Sequence, residues 1–356
     1  MIYFLQRERR LLMAIGTNND RLSIREETER LEAEYLKPWA SLAVNSRGRM
    51  TPEEQCDIRT VFQRDRDRIV HCKAFRRLKH KTQVFLSPRG DHYRTRLTHT
   101  LEVSQLSRTI ARALRLNEDL VDAIALGHDL GHAPYGHAGE RALDQVCPDG
   151  FSHCEQSLRI VDLLERNGEG LNLTWEVRDG ILNHRTGSVP HTLEGMIVRY
   201  CDKIAYINHD IDDAERAGIL KEEDIPLMFR EAIGFNTKQR LDRLIHDVIN
   251  ASYGTRTIAM SEEMEKQMHA LRHFMFENVY KNPAAKGEEA KAVEMLQRMY
   301  EYYCEHPEKM SGEFISLIAR GEKKERVVCD YISGMTDQFA IRTFTELFVP
   351  TSWQGD

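Results

Sequence analysis

The sequence predicts an all-α fold that contains at most a small β-hairpin. Through most of its 356 residues, apolar side chains recur at spacings of three and four, the period of a helix that is buried on one face. Candidate strands are short: the stretch TQVFLSP at 82–88 is the best of them, and the RGD that follows could close a hairpin. No apolar run approaches the roughly eighteen residues of a transmembrane helix, so no membrane partner is expected.

The composition indicates a soluble, cytoplasmic protein. Hydrophobic residues make up 41% and charged residues 30% of the chain, as in ordinary globular domains. Seven cysteines are scattered without a C-x-x-C pair, which argues against both a disulfide framework and a thiolate zinc site. The first sixteen residues hold four charges and are followed by no small-residue cleavage pattern, so they do not predict a targeting signal.

Spacing and capping residues predict the helices in chain order. Charged residues 26–35 indicate a solvated helical arm, and the pattern at 96–116 places His99 on an apolar helix face. Asn117 then offers an N-cap for the next helix, which runs to the glycine-rich turn GHAPYG at 131–136. The same spacing predicts further helices at 155–166, 192–217, 223–233, 237–250, 261–280, 288–303 and 325–332.

We expect the chain to consist of three parts. These are an N-terminal arm with a helical extension at 1–54, a central core at 55–220 and a helical C-terminal lobe at 221–356. Within the lobe, the stretch KNPAAKGEE at 281–289 is the best candidate for a break between helices.

One segment of the chain is strongly basic, although the whole chain carries a net charge of −6. Between Arg59 and Arg96, twelve lysines and arginines stand against three aspartates, a local excess of nine positive charges. A concentrated basic segment in an acidic chain is expected to receive an anion, and phosphates are the obvious candidates.

Metal-ligating residues lie on the apolar faces of three separate predicted helices, namely His99, the pair His128 and Asp129, and Asp202. A single histidine on an apolar face is more often a core residue than a ligand. Buried ionisable groups are costly unless they are paired or bound to metal, so the four together are informative. Two imidazoles and two carboxylates suit Mn, Fe, Ni, Zn or Mg, and leave positions for water or phosphate oxygens.

The residues around these positions resemble the HD-domain deoxynucleoside triphosphate triphosphohydrolases. The similarity covers about residues 25–215 and is carried by RTRLTHTLEVSQL (94–106), ALGHDLGHAPYGHAGE (125–140), GFSHCEQSLRI (150–160) and YCDKIAYINHDIDDA (200–214). It implies that the central core is an HD domain holding one divalent ion per subunit, drawn from Mn, Mg, Fe, Ni, Co or Zn. The implied ligands are the four residues named above.

The resemblance also implies the reaction. Water attacks the α-phosphorus of a deoxynucleoside triphosphate, either dGTP or several dNTPs, and yields a deoxynucleoside plus intact inorganic triphosphate. Such an enzyme controls dNTP pools. His137 is implied as the group that handles the proton of the leaving 5′-oxygen. Glu140, three residues later, would share its helix face and orient it; the alternative is that the two form only a helix-start ion pair.

Further residues match positions that contact the substrate in that family. They are His132, His153 and Lys203 for the triphosphate, Tyr206 and Asp210 for the deoxyribose, and Gln83 for the sugar or base. Arg96, three residues before His99, would add a guanidinium fork for phosphate. The alternative for these outer contacts is a polar residue on a helix surface. His184 is equally interpreted as a phosphate contact, a hydrogen-bond partner or a helix-end residue.

The family resemblance further implies a homo-oligomer, a tetramer or a hexamer, and allows a nucleotide or single-stranded DNA as activator. Two other functions stay open at this stage. One is an HD-domain 5′-nucleotidase or another nucleotide phosphohydrolase. The other is a nucleic-acid-binding regulatory protein that uses the basic segment. Few aromatic residues interleave with the cations of that segment, which disfavours a platform for stacked bases.

Overall fold

The computed structural model describes residues 22–83, 94–281 and 283–350, with the backbone alone for 280 and 283–286. In these ranges the chain forms sixteen α-helices, and its only β-structure is two isolated bridges, which confirms the predicted all-α class. One of these bridges joins Thr82 to Thr95, but most of the predicted hairpin lies outside the described residues. No helix in the described ranges is both long and apolar enough to span a membrane.

The helices are numbered here in chain order. They are α1 Ile24–Tyr35, α2 Val61–His71, α3 Lys73–Arg77, α4 Arg96–Leu114, α5 Glu118–Gly127, α6 Gly136–Val146, α7 His153–Arg159, α8 Trp175–Asn183, α9 Leu193–Arg216, α10 Leu227–Ile233, α11 Thr237–Ser252, α12 Glu262–Met275, α13 Pro283–Glu305, α14 Gly312–Ala319, α15 Lys324–Ser333 and α16 Asp337–Phe348. Helices α7 and α12 each continue into a π-helical turn, at Ile160–Leu164 and Phe276–Tyr280.

Local sequence signals set the two helices that carry the first half of the site. Thr95 caps α4 by accepting a hydrogen bond from the Thr98 amide. Arg115 adopts a left-handed conformation at φ 54°, which ends α4 and reverses the chain. The side chain of Asn117 then accepts from the amides of Asp119 and Leu120, so the predicted N-cap of α5 is confirmed.

The apolar core consists of two clusters. The larger one is built around α2, α4, α5, α8 and α9, and it includes residues of α10–α12 as well. The smaller one joins α6 to α13, α15 and α16. Residues on both sides of position 220 therefore share the larger cluster, and the three-part division at 54 and 220 stays a prediction.

Several helices are not predicted by apolar spacing. Helix α6 begins in a glycine-rich turn with little apolar content, and α3 is only five residues long. The predicted break at 281–289 is confirmed at its start but is shorter than expected, because the π-helical turn ends at Tyr280 and α13 already begins at Pro283. Proline is well tolerated in the first turn of a helix, where its missing N–H has no intrahelical partner to lose.

Candidate active site

The four predicted metal ligands converge at the crossing of α4 and α9. The Nε2 atom of His99 lies 3.1 Å from Oδ1 of Asp202 and 4.0 Å from Oδ2 of Asp129. The Nε2 atom of His128 lies 3.4 Å from Oδ1 of Asp129 and 3.7 Å from Oδ1 of Asp202. Ligand atoms bonded at about 2.1 Å to one ion are about 3.0 Å apart in octahedral and about 3.4 Å apart in tetrahedral geometry. Three of the four observed separations lie within about 0.3 Å of these values, and the fourth, between His99 and Asp129, is longer.

Three helices deliver these side chains. His99 lies in the first turns of α4, Asp202 lies in α9, and His128 and Asp129 directly follow the last residue of α5. His99, His128 and Asp129 are buried at 1%, 0% and 3% exposure, as expected for residues on apolar helix faces. The side chain of Asp202 keeps 25% exposure, because it faces a cavity.

A relay of hydrogen bonds fixes the orientation of His99. Its Nδ1 atom lies 3.1 Å from Nδ1 of His209, whose Nε2 contacts the carboxylate of Glu102. Burial lowers the pKa of His209, so its ring is neutral and its single N–H donates to Glu102. His209 then accepts at Nδ1, and His99 donates to it in the tautomer that carries its proton on Nδ1. This leaves the lone pair on Nε2 of His99 directed at Asp202.

His128 is oriented by a backbone group. Its Nδ1–H donates to the carbonyl of Ala125 at 2.6 Å, which leaves a lone pair on Nε2. That buried Nε2 atom has no hydrogen-bond partner among the described residues. Burial lowers the pKa of the His128 imidazole, so the ring is neutral near pH 7.

Both imidazole lone pairs therefore face carboxylates. Burial alone would raise the pKa of Asp202, but its polar contacts with the imidazoles of His99 and His128 hold this pKa below its usual range. Two lone pairs and two anionic carboxylates within about 4 Å repel one another unless a positive charge lies among them. This donor set, with the unpartnered Nε2 of His128, fits a divalent cation.

A tight turn follows Asp129 and is held against α7. At Gly131, an added Cβ would lie 2.2 Å from the amide nitrogen of Ser157 and 2.3 Å from the carbonyl of His153, so only glycine fits. The Gly131 amide donates to Ser157 Oγ, which in turn donates to the carbonyl of His128. The turn therefore fixes the His128–Asp129 pair relative to α7.

Asp129 is also held by two predicted phosphate contacts. Nη1 of Arg96 donates to Oδ2 of Asp129 at 2.8 Å, and Nε2 of His132 lies 3.0 Å from its other oxygen. The guanidinium of Arg96 passes so close to Gly136 that a Cβ there would lie 2.8 Å from Nη2. Arg96 and His132 are both nearly fully buried, so they brace the carboxylate as well as bordering the cavity.

The predicted pair His137 and Glu140 lies at the start of α6. Nδ1 of His137 is 3.5 Å from Oε2 of Glu140, and the imidazole is half exposed. Glu140 makes shorter contacts with His153, accepting from its backbone N–H at 3.0 Å and lying 2.9 Å from its Nδ1. Burial alone would raise the pKa of Glu140, but the hydrogen bonds from His137 and His153 hold it well below its usual range. The carboxylate is therefore anionic and shared between two imidazoles.

A cavity of about 290 Å³ brings most of the predicted site together. Among the described residues that line it, the predicted ones are Gln83, Arg96, His99, Asp129, His132, His137, His153, Asp202, Lys203 and Tyr206. The rings of His132 and His153 stack at 4.0 Å between centroids, and Tyr206 faces His137 at 6.1 Å. Asp210 is fully buried and is not among the lining residues.

Sequence reasoning missed the side of the cavity that α12 forms. Met260, Met268 and the ionisable residues Glu265, His269 and Arg272 line it, although they lie about sixty residues beyond Asp202. A signal was available, since the three ionisable residues recur at spacings of four and three on one helix face. The relay residues Glu102 and His209 were missed as well.

Besides Arg96, six cations of the basic segment form ion pairs with carboxylates of this chain. The pairs are Arg59 with Asp67, Arg64 and Arg68 with Glu53, Arg66 with Asp119, Lys73 with Glu313, and Arg94 with Asp212. The buried ammonium of Lys81 donates to the backbone carbonyls of His132 and Ser333. Arg96 is the cation of the described part of this segment that borders the cavity.

Comparisons with known proteins show which family the chain resembles. A profile of the HD domain matches residues 96–207, and a profile described as a phosphohydrolase-associated domain matches residues 258–346. A protein of Caldanaerobacter subterraneus named deoxyguanosinetriphosphate triphosphohydrolase-like protein is 55% identical over 93% of this chain and 98% of its own. A protein of the same name from Desulfatibacillum aliphaticivorans is 48% identical over 93% and 99%. A solved phosphohydrolase from Bacteroides thetaiotaomicron, 18% identical, superposes on 80% of this chain and 69% of its own with a TM-score of 0.51, which supports the fold.

Proposed function

The chain belongs to the deoxyguanosinetriphosphate triphosphohydrolase-like family of HD-domain phosphohydrolases, and on that premise we propose that it hydrolyses deoxynucleoside triphosphates. The products would be a deoxynucleoside and inorganic triphosphate, so the enzyme would control dNTP pools. The observation that carries the proposal is one cavity that joins a ligand set for a divalent ion to a half-exposed histidine and several cations.

The proposed cofactor is one divalent ion per subunit, held by His99, His128, Asp129 and Asp202. When bound, it would supply positive charge and Lewis acidity beside the reacting phosphorus. Arg96 and His132 hold Asp129 in place for this task. The relay from Glu102 through His209 keeps the Nε2 lone pair of His99 available.

The remaining residues account for substrate binding and proton transfer. Lys203, His132 and His153 border the cavity and would receive the triphosphate. In the reaction a bond forms between water oxygen and the α-phosphorus, the bond to the 5′-oxygen breaks, and that oxygen takes a proton. His137 is proposed to donate this proton, because its imidazole is exposed to the cavity and lies beside an anionic carboxylate.

Sugar selectivity is proposed to depend on Tyr206. Its ring borders the cavity near His137 and would lie against the deoxyribose, leaving little room for a 2′-hydroxyl. The buried carboxyl of Asp210 has a pKa well above its usual range because of burial and the neighbouring Asp213. The family resemblance implies that Asp210 acts on the 3′-hydroxyl. Because Asp210 is buried and does not line the cavity, this contact would need a rearrangement of the residues in front of it.

Product analysis tests the proposal. Each of the four dNTPs, and a mixture of all four, is incubated with the full chain and Mn²⁺, Mg²⁺ or Co²⁺, and the products are separated. Deoxynucleoside and triphosphate in equal amounts support α-phosphorus attack. Release of orthophosphate or pyrophosphate would instead support another nucleotide phosphohydrolase. Orthophosphate from deoxynucleoside monophosphates alone would indicate a 5′-nucleotidase.

The ion pairs of the basic segment argue against the nucleic-acid-binding alternative, because paired cations are less available to phosphates. The predicted tetramer or hexamer and the predicted nucleotide or single-stranded DNA activator stay predictions.

A further inference from the structure

A second group of potential metal ligands lies beside the site described above. The thiol sulfur of Cys154 is 3.3 Å from Nε2 of His153 and 3.7 Å from Nε2 of His184. One ligand atom from each of the three residues lies within 4.8 Å of the other two. Cys154 and His184 are almost completely buried, at 1% and 2% exposure, and His153 is mostly buried. The absence of a C-x-x-C pair therefore does not exclude a thiolate site in this chain.

Outer partners orient both imidazoles toward the sulfur. Nδ1 of His184 donates to the carbonyl of Ile181 at 2.7 Å, and Nδ1 of His153 donates to Glu140, whose two oxygens lie 2.9 Å and 3.0 Å away. In neutral rings these bonds fix the proton on Nδ1 and leave the lone pair on Nε2. A carboxylate or a carbonyl behind each imidazole is the usual environment of a metal-bound histidine.

The three groups cannot satisfy one another by hydrogen bonds alone when they are neutral. Two Nε2 lone pairs meet a single S–H, so one nitrogen faces the sulfur without a proton. An added positive charge among the three atoms removes this deficit, and either a proton or a metal ion can provide it.

The distances fit a metal ion. A zinc ion with a Zn–S bond of about 2.3 Å and a Zn–N bond of about 2.0–2.1 Å places sulfur and nitrogen about 3.6 Å apart in tetrahedral geometry. The two observed separations, 3.3 Å and 3.7 Å, lie on either side of this value. One thiolate and two imidazoles form a soft to borderline donor set, whereas the first site offers two imidazoles and two carboxylates.

We propose that His153, Cys154 and His184 form a second metal site, which binds one Zn²⁺-like divalent ion through one thiolate and two imidazole nitrogens. His153 and His184 both border the cavity, so the fourth coordination position is open to water or to a ligand in the cavity. The site goes beyond the proposed function and needs neither the first metal ion nor the reaction, but it competes with that function for His153; with the second ion bound, His132 and Lys203 would receive the triphosphate without His153. An ion bound there would engage His153, which would no longer be available as a phosphate contact.

Titration of the metal-stripped full chain with Co²⁺ tests this second site. Thiolate bound to Co²⁺ gives a charge-transfer absorption in the near ultraviolet, and the first site contains no sulfur. We expect wild type to bind two equivalents and to develop this band with one of them. The variant Cys154→Ser should lose the band and one equivalent. Cys72→Ser, a buried cysteine whose sulfur accepts from the Phe75 amide, should keep both.

Two further variants separate the test of the second site from failure of the first site and from misfolding of Cys154→Ser. His99→Gln should lose one equivalent and retain the band; if it retains both equivalents, the first-site ligand set is wrong and the second site still stands. If Cys154→Ser does not fold, His184→Gln takes its place. The Co²⁺ affinity measured from the charge-transfer absorption should then fall by at least about tenfold. Absence of the band in folded wild type would overturn the proposal, as would a band that is undiminished in Cys154→Ser.

Discussion

The Nδ1 atoms of His99 and His209 lie 3.1 Å apart, and the other ring nitrogen of His209, Nε2, contacts the carboxylate of Glu102. His99 is thereby one end of a chain of three side chains that joins α4 to α9 and back. The relay determines which nitrogen of His99 faces Asp129 and Asp202. Affinity for the metal should therefore depend on a residue that does not touch the metal.

Replacement of Glu102 by alanine should weaken metal binding by about 10–100-fold. Without the carboxylate, His209 is free to carry its proton on Nδ1, and His99 then loses its preference for a lone pair on Nε2. Isothermal titration of metal-stripped protein with Mn²⁺ measures the change. Glu301→Ala, at an exposed position of α13, is the matched control. Equal affinities for both variants would show that the relay does not set the orientation of His99.

His137 and Asp202 should behave differently when each is replaced by alanine. Asp202→Ala removes a proposed ligand, so the protein should lose the ion as well as its activity. His137→Ala should retain the ion while the turnover number falls by about 10²–10⁴-fold, the range for loss of a general acid. Elemental analysis of the purified variants and a triphosphate-release assay give the two readouts. Loss of the ion in His137→Ala would contradict the proposed division between ligand and proton donor.

The convergence of His99, His128, Asp129 and Asp202 could be predicted because each lies on, or directly after, an apolar helix face within a characteristic motif. Glu102 and His209 could have been suspected, since Glu102 lies one turn beyond His99 and His209 two turns beyond Asp202. Their contact, however, depends on how α4 crosses α9, and helix crossing is a property of tertiary packing that no single segment encodes.

Cys154 and His184 show a similar limit. They are thirty residues apart, and the sulfur meets the second imidazole only because α7 packs against the end of α8. The helical class could be predicted because it rests on spacing within each segment. Helix α6, by contrast, follows a glycine-rich turn and holds few apolar residues, so contacts with the C-terminal helices stabilise it instead.

Replacement of Gly131 by alanine should destabilise the protein by about 3 kcal/mol or more. The new Cβ would overlap backbone atoms of His153 and Ser157, which cannot rotate away as a side chain can. Chemical denaturation measures the loss, with Gly312→Ala as control, because no atom lies within 4 Å of a Cβ at that position. A cost below about 1 kcal/mol would mean that the turn and α7 can separate without penalty. The metal affinity of Gly131→Ala should fall as well, since the turn positions Asp129.

Asp213 should make stability depend on pH in the acidic range. Burial raises the pKa of its carboxyl from 3.8 to about 6, although Arg94 at 3.7 Å opposes the rise. Because the pKa of this carboxyl is higher in the folded than in the unfolded protein, folding favours its protonated form. The stability gained from this preference is lost as the pH rises from about 4 through about 6. The variant Asp213→Asn cannot ionise, so its free energy of unfolding relative to wild type should increase by about 2 kcal/mol between pH 4 and pH 7. Urea denaturation at several pH values measures this difference, and Asp242→Asn, at a position that is 69% exposed, should follow wild type throughout. Parallel pH profiles for Asp213→Asn and wild type would show that the Asp213 carboxylate is well solvated in the folded protein.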